Sequence, residues 1–374
     1  MGGSVLVFKF RACVAQRILP LRYCFGTIRR LRWRIAVPAL VFLASSCSST
    51  PGQKQTLDRF EYQRPEMGVP FRIVLYARNQ STADSAAEAA FERIKQLNAI
   101  MSDYDPESEL SKLSHASGQG REIHVSDDLW LVLQRAQSLA QRSGGAFDIT
   151  VGPCVVLWRK ARREQKMPDP QRLAQARQAV GYKHIQLNRR HHTVRFVVPD
   201  MRLDLGGIAK GYAVDEALKV LTKRRITRAL VEGGGDVGVS RPPPGKSAWR
   251  IQLAPIDVTN APAAKFLLLK NAAISTSGDL YQRLEIEGKR FSHIVDPRTG
   301  SGLTDHSLVS VIALNSITAD SLTKVVSVLG PKQGLKFIES TRGAAVHIMR
   351  NPDDKLQVYE SSRFGRYYDS AGEK

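Results

Sequence analysis

The chain has 374 residues, 43% of them hydrophobic, and a formal charge of +20 at pH 7. That length and apolar content allow a sizeable core, in one large domain or two ordinary ones. The charge invites a nucleic-acid reading, but eight basic residues and no acid lie in the first 46 positions, and the 47 basic and 35 acidic residues that remain are scattered with few aromatics among them, so a solvated basic surface is read and no nucleic-acid partner is expected.

Residues 1–46 read as an export signal. Basic "RRLRWR" runs into apolar "IAVPALVFLA", then small residues lead to Cys47 in "LASSCSST". Ten apolar residues are too few to span a bilayer as a helix. A small-residue run ending in Cys is similar to a bacterial lipoprotein signal, in which Cys47 is the lipidated first residue. Ala44 stands where such signals more often carry Leu. On this reading Cys13 and Cys24 leave with the signal and only Cys154 remains beside Cys47, so no internal disulfide is expected. Cys154, between Pro153 and an apolar run, reads as a buried small hydrophobe. Residues 47–65 are polar with scattered Pro and Gly, which reads as a tether.

Alternation in "FRIVLYA" (71–77) predicts a strand. "STADSAAEAAFERIKQLNAIMSDY" predicts a long helix with a stripe through Ala90, Phe91, Ile94, Leu97 and Met101. A second helix starts at the cap Ser126 and stops at Gly144; a third occupies about 170–180. Short strands follow in "HIQLN", "TVRFVV" and "MRLDL". "AKGYAVDEALKVLTKR" is an amphipathic helix, and "ITRALVEGGGDVGV" a strand that runs into glycines. Strand-like segments cover 249–255, 265–274, 290–295 and 307–314. A helix in "SITADSLTKVVSVLG" (316–330) precedes "GLKFIEST" and a strand in "AAVHIM". Residues 363–374 read as a polar tail. Strands and helices mix without a regular βαβ repeat, so the fold class is α+β, as a single mixed α/β unit over 66–362.

Four segments set glycine beside polar groups at the ends of apolar runs: "SGGAFDITVGP", "DLGGIAKGYAVD", "EGGGDVG" and "STSGDL". Each alone is a tight turn; together with "FSHIVDPRTG" they indicate a ligand cleft, since glycine lets backbone approach a ligand. Free N–H groups after "DLGG" can hold phosphate, and Lys210 adds a cation. His293 is the candidate proton shuttle. His191 and His192, adjacent on a strand, would point opposite ways and cannot chelate one ion, so any metal here is oxygen-bound, most simply Mg2+. Asp320, four residues before Lys324, is either half of a helical ion pair or a metal ligand.

Together "MGVPFRI", "MSDYDPESELSKLS", "SGGAFDITVGP", "LDLGGIAKGYAVDEAL", "ALVEGGGDV", "ISTSGD", "SHIVDPRTG" and "ADSLTKVVSVLG" resemble, in order across 66–360, the ApbE family of FAD:protein FMN transferases of the bacterial periplasm. The resemblance implies a T-fold-like domain with a flavin-binding cleft, in which FAD is substrate and Mg2+ sits at its diphosphate. A Thr or Ser hydroxyl of a partner protein attacks the FMN phosphorus and AMP leaves. It implies that Met67 and Tyr104 line the flavin and adenine surfaces and that Ala146, Phe147 and Asp148 contact FAD. Asp204, Lys210 and Ile294 also contact the cofactor, and His293 is the base. The metal is held by Asp320 and the Gly207 carbonyl. The family's threonine four residues after that Asp is Lys324 here, with Thr323 one place earlier. Three arrangements are then open: Thr323 ligates, water fills the place, or the Lys324 ammonium stands in as the cation. The resemblance also implies acceptors among subunits of membrane redox complexes, and a lipid anchor at the periplasmic face of a bacterial membrane. The alternatives are an FAD-binding carrier lipoprotein and an FAD pyrophosphatase giving FMN and AMP.

Overall fold

Two runs of alternating side chains open the fold as a hairpin. β1 (Asp58–Glu66) pairs with β2 (Val69–Ala77) in register from Asp58↔Ala77 to Glu66↔Val69. The structure, a computed structural model, describes residues 56–256, 264–278, 283–286, 288–352 and 355–370. Cys47 and the start of the expected tether lie outside them. The rest of that stretch is corrected: 58–65 is strand, because Phe60 and Tyr62 alternate toward the core while the polar residues between them face out.

α1 (Gln80–Met101) follows, then α2 (Glu109–His115), β3 (Ile123–His124) and α3 (Asp127–Arg142). α4 (Gly152–Glu164), α5 (Pro170–Gln178), β4 (Ile185–Asn188) and β5 (Thr193–Phe196) come next. α6 (Ala209–Lys223) leads to β6 (Ala229–Gly233), β7 (Asp236–Val239), β8 (Trp249–Gln252), β9 (Phe266–Leu269) and β10 (Ala272–Gly278). β11 (Arg283–Ile286), β12 (Lys289–Ser292), β13 (Ser307–Ala313), α7 (Ser316–Glu339), β14 (Ala345–Arg350) and β15 (Gln357–Glu360) complete the chain.

Eight of these strands form one antiparallel sheet in the order β1-β2-β6-β7-β10-β13-β14-β15. Its two faces are both covered. Phe71, Ile73 and Leu75 of β2 join the main core with α1, α6 and α7, while Val74 joins Trp249, Leu267, Leu269 and Phe364 on the other side. α6 packs against both α1 and α7 and so lies at the centre of the helical layer. α+β is therefore the observed class.

The cap read from the sequence holds: Ser126 accepts the Leu129 N–H to open α3. At α7 the structure adds Asn315, which accepts the Thr318 N–H. α7 continues past Gly330, but that residue sits at φ 72°, ψ 178° before Pro331, so the helix is broken where the sequence placed its end.

Three further expectations change. "MRLDL" is not a strand. Met201, Leu203 and Leu205 alternate inward as a strand's would, yet their backbone is claimed elsewhere. The Met201 and Leu203 N–H groups donate to the Ser117 and Ser114 hydroxyls, and the Asp204 N–H to the Ile149 carbonyl. The 265–274 run splits into β9 and β10 at Asn271, which adopts φ 46°. The expected polar tail is folded as far as it is described. Phe364 is wholly buried, Arg363 bonds to the carbonyls of Ile338, Glu339, Thr341 and Ala344, and Tyr368 bridges to Leu267.

Candidate functional site

α6 begins directly after Gly206 and Gly207, and Ile208 at its cap offers no side-chain acceptor. Its Gly211 N–H donates instead to Asp320 Oδ2 of α7 at 3.2 Å. In return Asp215 of α6 accepts the Ser316 and Ile317 N–H groups that open α7, at 2.8 and 2.9 Å. Each helix supplies a carboxylate to the positive end of the other. Close approach makes this possible: a Cβ on Gly211 would stand 2.4 Å from the Ser316 carbonyl oxygen.

Asp320 is wholly buried. Lys324 Nζ donates to its Oδ1 at 2.5 Å and to Ser277 Oγ at 2.7 Å. Thr323 Oγ1 donates to the Asp320 carbonyl at 2.6 Å, which uses its one proton. Ser277 Oγ, 2.8 Å from Thr323 Oγ1, must therefore be the donor of that pair. The chain of bonds runs one way, from the ammonium through Ser277 and Thr323 to the helix backbone. Burial opposes charge on Asp320, but the ammonium groups of Lys324 and Lys210 outweigh it and hold the carboxyl below the usual carboxylate range.

Asp236 faces the same pocket from the "EGGGD" turn. The positive φ of Gly234 and Gly235, 60° and 94°, closes the β6–β7 hairpin and delivers the carboxylate inward. Ser275 Oγ donates to its Oδ1 at 2.5 Å, whereas its buried Oδ2 has no hydrogen-bond partner. Burial, with the charge of Asp320 second, pushes this carboxyl up to about 7. Lys210 reaches the turn from α6, its stem 3.0 Å from a Cβ placed on Gly234, and donates to the Gly206 carbonyl at 3.0 Å. Burial disfavours its charge, but Asp320, Asp236 and Asp204 outweigh burial and hold the ammonium above the usual lysine range. Two ammonium groups and two carboxylates thus meet where three of the glycine turns converge.

A second cluster borders the first. Arg159 Nη2 donates to Asp204 Oδ2 at 2.9 Å, Nη1 donates to Asp103, and the guanidinium lies 4.3 Å from the Tyr104 ring centroid. Asp204 Oδ1 also accepts the Gly206 N–H at 2.7 Å, so this ion pair holds the Gly206–Gly207 turn in place. Tyr104 is 75% exposed with its ring held by Arg159, which suits a stacking platform.

The other expected residues are placed unevenly. Phe147 lies 3.4 Å from a Cβ on Gly207, so "AFD" and "DLGG" touch. Asp148 is committed to structure: Oδ1 accepts from the Thr150 N–H and hydroxyl, and Oδ2 from the Tyr182 N–H. Ile294 packs with Ala146 and Val328 as a wall, and its N–H and carbonyl are bonded to Ser292 and Leu303. His293, half-buried just past the end of β12, precedes that wall residue. Met67, at φ 51°, forms the β1–β2 turn, and the Val69 that follows lies 3.1 Å from a Cβ on Gly234.

The Mg2+ expected here needs oxygen donors that are open to it. Asp320 and Thr323 lie on one turn of α7, Gly207 lies against the Lys324 stem, and their donors are hard oxygens. They do not fit the ion as folded. The Lys324 ammonium is seated on Asp320 Oδ1 and the Gly211 N–H on Oδ2, Thr323 Oγ1 is wholly buried and 2.8 Å from Ser277 Oγ, and the Lys324 stem lies 3.1 Å from a Cβ on Gly207. Among the described residues no three His, Cys, Asp or Glu side chains form a metal-holding group.

Sequence reasoning missed Asp103, Arg159, Asp236, Ser275 and Ser277. Asp236 and Ser277 lie in segments already marked by their glycines, so a polar residue beside the glycine, Asp236 after it and Ser277 before it, was the available signal. Arg159 had none, because α4 was not foreseen and only its fold partners reveal the role.

A family model described as the ApbE family matches residues 67–348. An FAD:protein FMN transferase of Haemophilus influenzae is 31% identical over 338 residues, covering 88% of this chain and 96% of that protein. One from Vibrio cholerae is 29% identical over 338 residues, covering 89% and 97%. Among solved structures, the flavin transferase ApbE from Vibrio cholerae is similar with a TM-score of 0.74 at 27% identity, over 83% of this chain and 99% of that one. The ApbE protein of Thermotoga maritima gives the same figures, a TM-score of 0.74 at 27% identity over 83% and 99%.

Proposed function

The chain belongs to the ApbE family, and from that premise we propose that it is an FAD:protein FMN transferase. The acceptor is a Thr or Ser hydroxyl of a partner protein. Its oxygen attacks the FMN phosphorus of FAD; the new P–O bond forms as the bond to the AMP phosphate oxygen breaks. AMP leaves with that electron pair, and His293 takes the hydroxyl proton. Positioning and charge neutralisation carry such a transfer, because the reacting groups need little covalent help.

The observation that supports this reading is the meeting of Lys210 and Lys324 with Asp236 and Asp320 at the glycine turns. Cations facing backbone that lies close enough to touch a ligand suit a diphosphate. Tyr104, 75% exposed on Arg159, offers a face for a ring. Mg2+, which family membership leads one to expect at the diphosphate, does not fit while Lys324 is seated, and no step here runs through it. The acceptors would be subunits of membrane redox complexes. A lipid on Cys47 would hold the enzyme at the periplasmic face of a bacterial membrane.

The test incubates the protein with FAD, magnesium and an acceptor carrying a Thr-containing target segment. Mass spectrometry of the acceptor and chromatography of free nucleotides are then read together. FMN added to the acceptor with equimolar AMP is expected. AMP without the adduct would make the chain an FAD pyrophosphatase. FAD binding with neither product would make it a carrier.

A further inference from the structure

We propose that Lys324 is a built-in cation which takes the place of a divalent metal at the diphosphate of FAD, so that this chain binds FAD without metal. This rests on the reading of the pocket as an FAD site. The geometry is that of a seated ligand rather than a stray surface lysine. The Lys324 side chain is 18% exposed, and its partner Asp320 is not exposed at all. Two of its three ammonium protons are placed, on Asp320 Oδ1 at 2.5 Å and Ser277 Oγ at 2.7 Å, and the third is left for a ligand oxygen. Its stem lies along Gly207, where any side chain would meet it at 3.1 Å.

The surroundings are arranged for an ammonium. Ser277 accepts from Lys324, so its own proton must go to Thr323, whose proton goes to the Asp320 carbonyl. A divalent ion would have to expel the lysine from both Asp320 Oδ1 and Ser277 Oγ, and share Oδ2 with the Gly211 N–H. An expelled ammonium would remain nearby on its short tether, repelling the ion in a poorly screened pocket. Lys210, on the other side of Asp320, supplies a second ammonium, so two single charges stand where one double charge would otherwise be needed. Being tethered, neither has to be recruited from solution.

FAD binding to the full chain and to Lys324→Thr is measured by quenching of flavin fluorescence, in excess chelator and in excess magnesium. Manganese binding to each FAD complex is read by electron paramagnetic resonance. For the wild type, the two affinities should agree within about twofold and no stoichiometric manganese should bind. Lys324→Thr should bind FAD at least tenfold more weakly in chelator, recover with magnesium, and take up one manganese. A wild-type affinity that falls more than tenfold in chelator, or one manganese bound per wild-type chain, would overturn the proposal and leave the transferase reading intact. So would a Lys324→Thr protein as indifferent to magnesium as the wild type. Absence of FAD binding both in chelator and in magnesium would overturn both readings. The wild-type arms decide the matter even if the variant does not fold.

Discussion

Arg159 illustrates how much one side chain organises here. It joins Asp103 and Asp204, carries the Tyr104 ring, and through Asp204 fixes the Gly206 N–H. Its side chain is 16% exposed, and its two partners are 10% and 9% exposed. Burial, with the charge of Asp204 second, already pushes Asp103 above the usual carboxylate range, against the opposing pull of Arg159. Arg159→Ala would leave two nearly buried carboxylates facing each other. A loss of about 3–5 kcal/mol in urea unfolding is expected, the range for breaking a buried pair from one side. A loss below about 1 kcal/mol would mean that water enters to solvate both acids. Asp148 makes the opposite point: it stands in a segment that resembles a cofactor-contact motif, yet its two oxygens hold the Thr150 N–H and hydroxyl and the Tyr182 N–H.

The element that sets the site is the α6–α7 pair. α7 delivers Asp320 and Lys324 one turn apart, and α6 delivers Lys210 and the Gly211 N–H. Their separation is fixed at Gly211, with no room for a methyl group against the Ser316 carbonyl. Gly211→Ala is expected to push the helices apart, costing about 1–3 kcal/mol as an overpacking change. It should also weaken FAD binding, because Asp320 and Lys324 move relative to Lys210. Thermal unfolding and flavin fluorescence measure the two effects. Unchanged FAD affinity in a destabilised protein would show that the pocket does not depend on this spacing. The helix pattern of 316–330 was legible because Leu322, Val325 and Val326 repeat at helical intervals and are all buried. What this stretch could not show is that Asp320 and Thr323 are also buried, since a buried polar residue and a solvated one interrupt an apolar stripe in the same way.

At the scale of the molecule, the C-terminal segment closes the sheet. Phe364 and Tyr368 pack on and beside His347 of β14, which bonds to Glu360 of β15 at 2.9 Å. Tyr368 also bonds to Glu360, and Lys265 faces the group from beside β9. Burial lowers the His347 pKa below the ordinary value of about 6.5, and the Glu360 bond offsets this only in part. The unfolded chain therefore takes up this proton first as pH falls. The contribution to stability is complete above about 6.5 and is lost progressively as pH falls through the lower folded value. Urea midpoints measured across that window should drop toward acid in the wild type and drop less in His347→Gln. Parallel profiles for the two proteins would rule His347 out as the source. The membership of this segment in the fold was not legible, because one buried aromatic in a polar stretch has no periodicity to report it.

The sequence by itself determined the elements whose periodicity or caps are local: α1, α3, α6, α7, the β2 strand, and the break at Gly330. It also determined the family, through glycine-marked turns whose order along the chain is informative before any contact is known. Only the tertiary structure decided what those turns share. Hydrogen bonds between residues far apart in the chain turned "MRLDL" from a strand into an anchored irregular segment. Packing at Gly211 and Gly207 brought Lys324 onto Asp320 and Ser277, and so changed an ordinary i, i+4 pair into a buried cation seat. The physical reason is burial: a charge pair's meaning depends on whether water can reach it, and that depends on chain segments which spacing alone does not bring together.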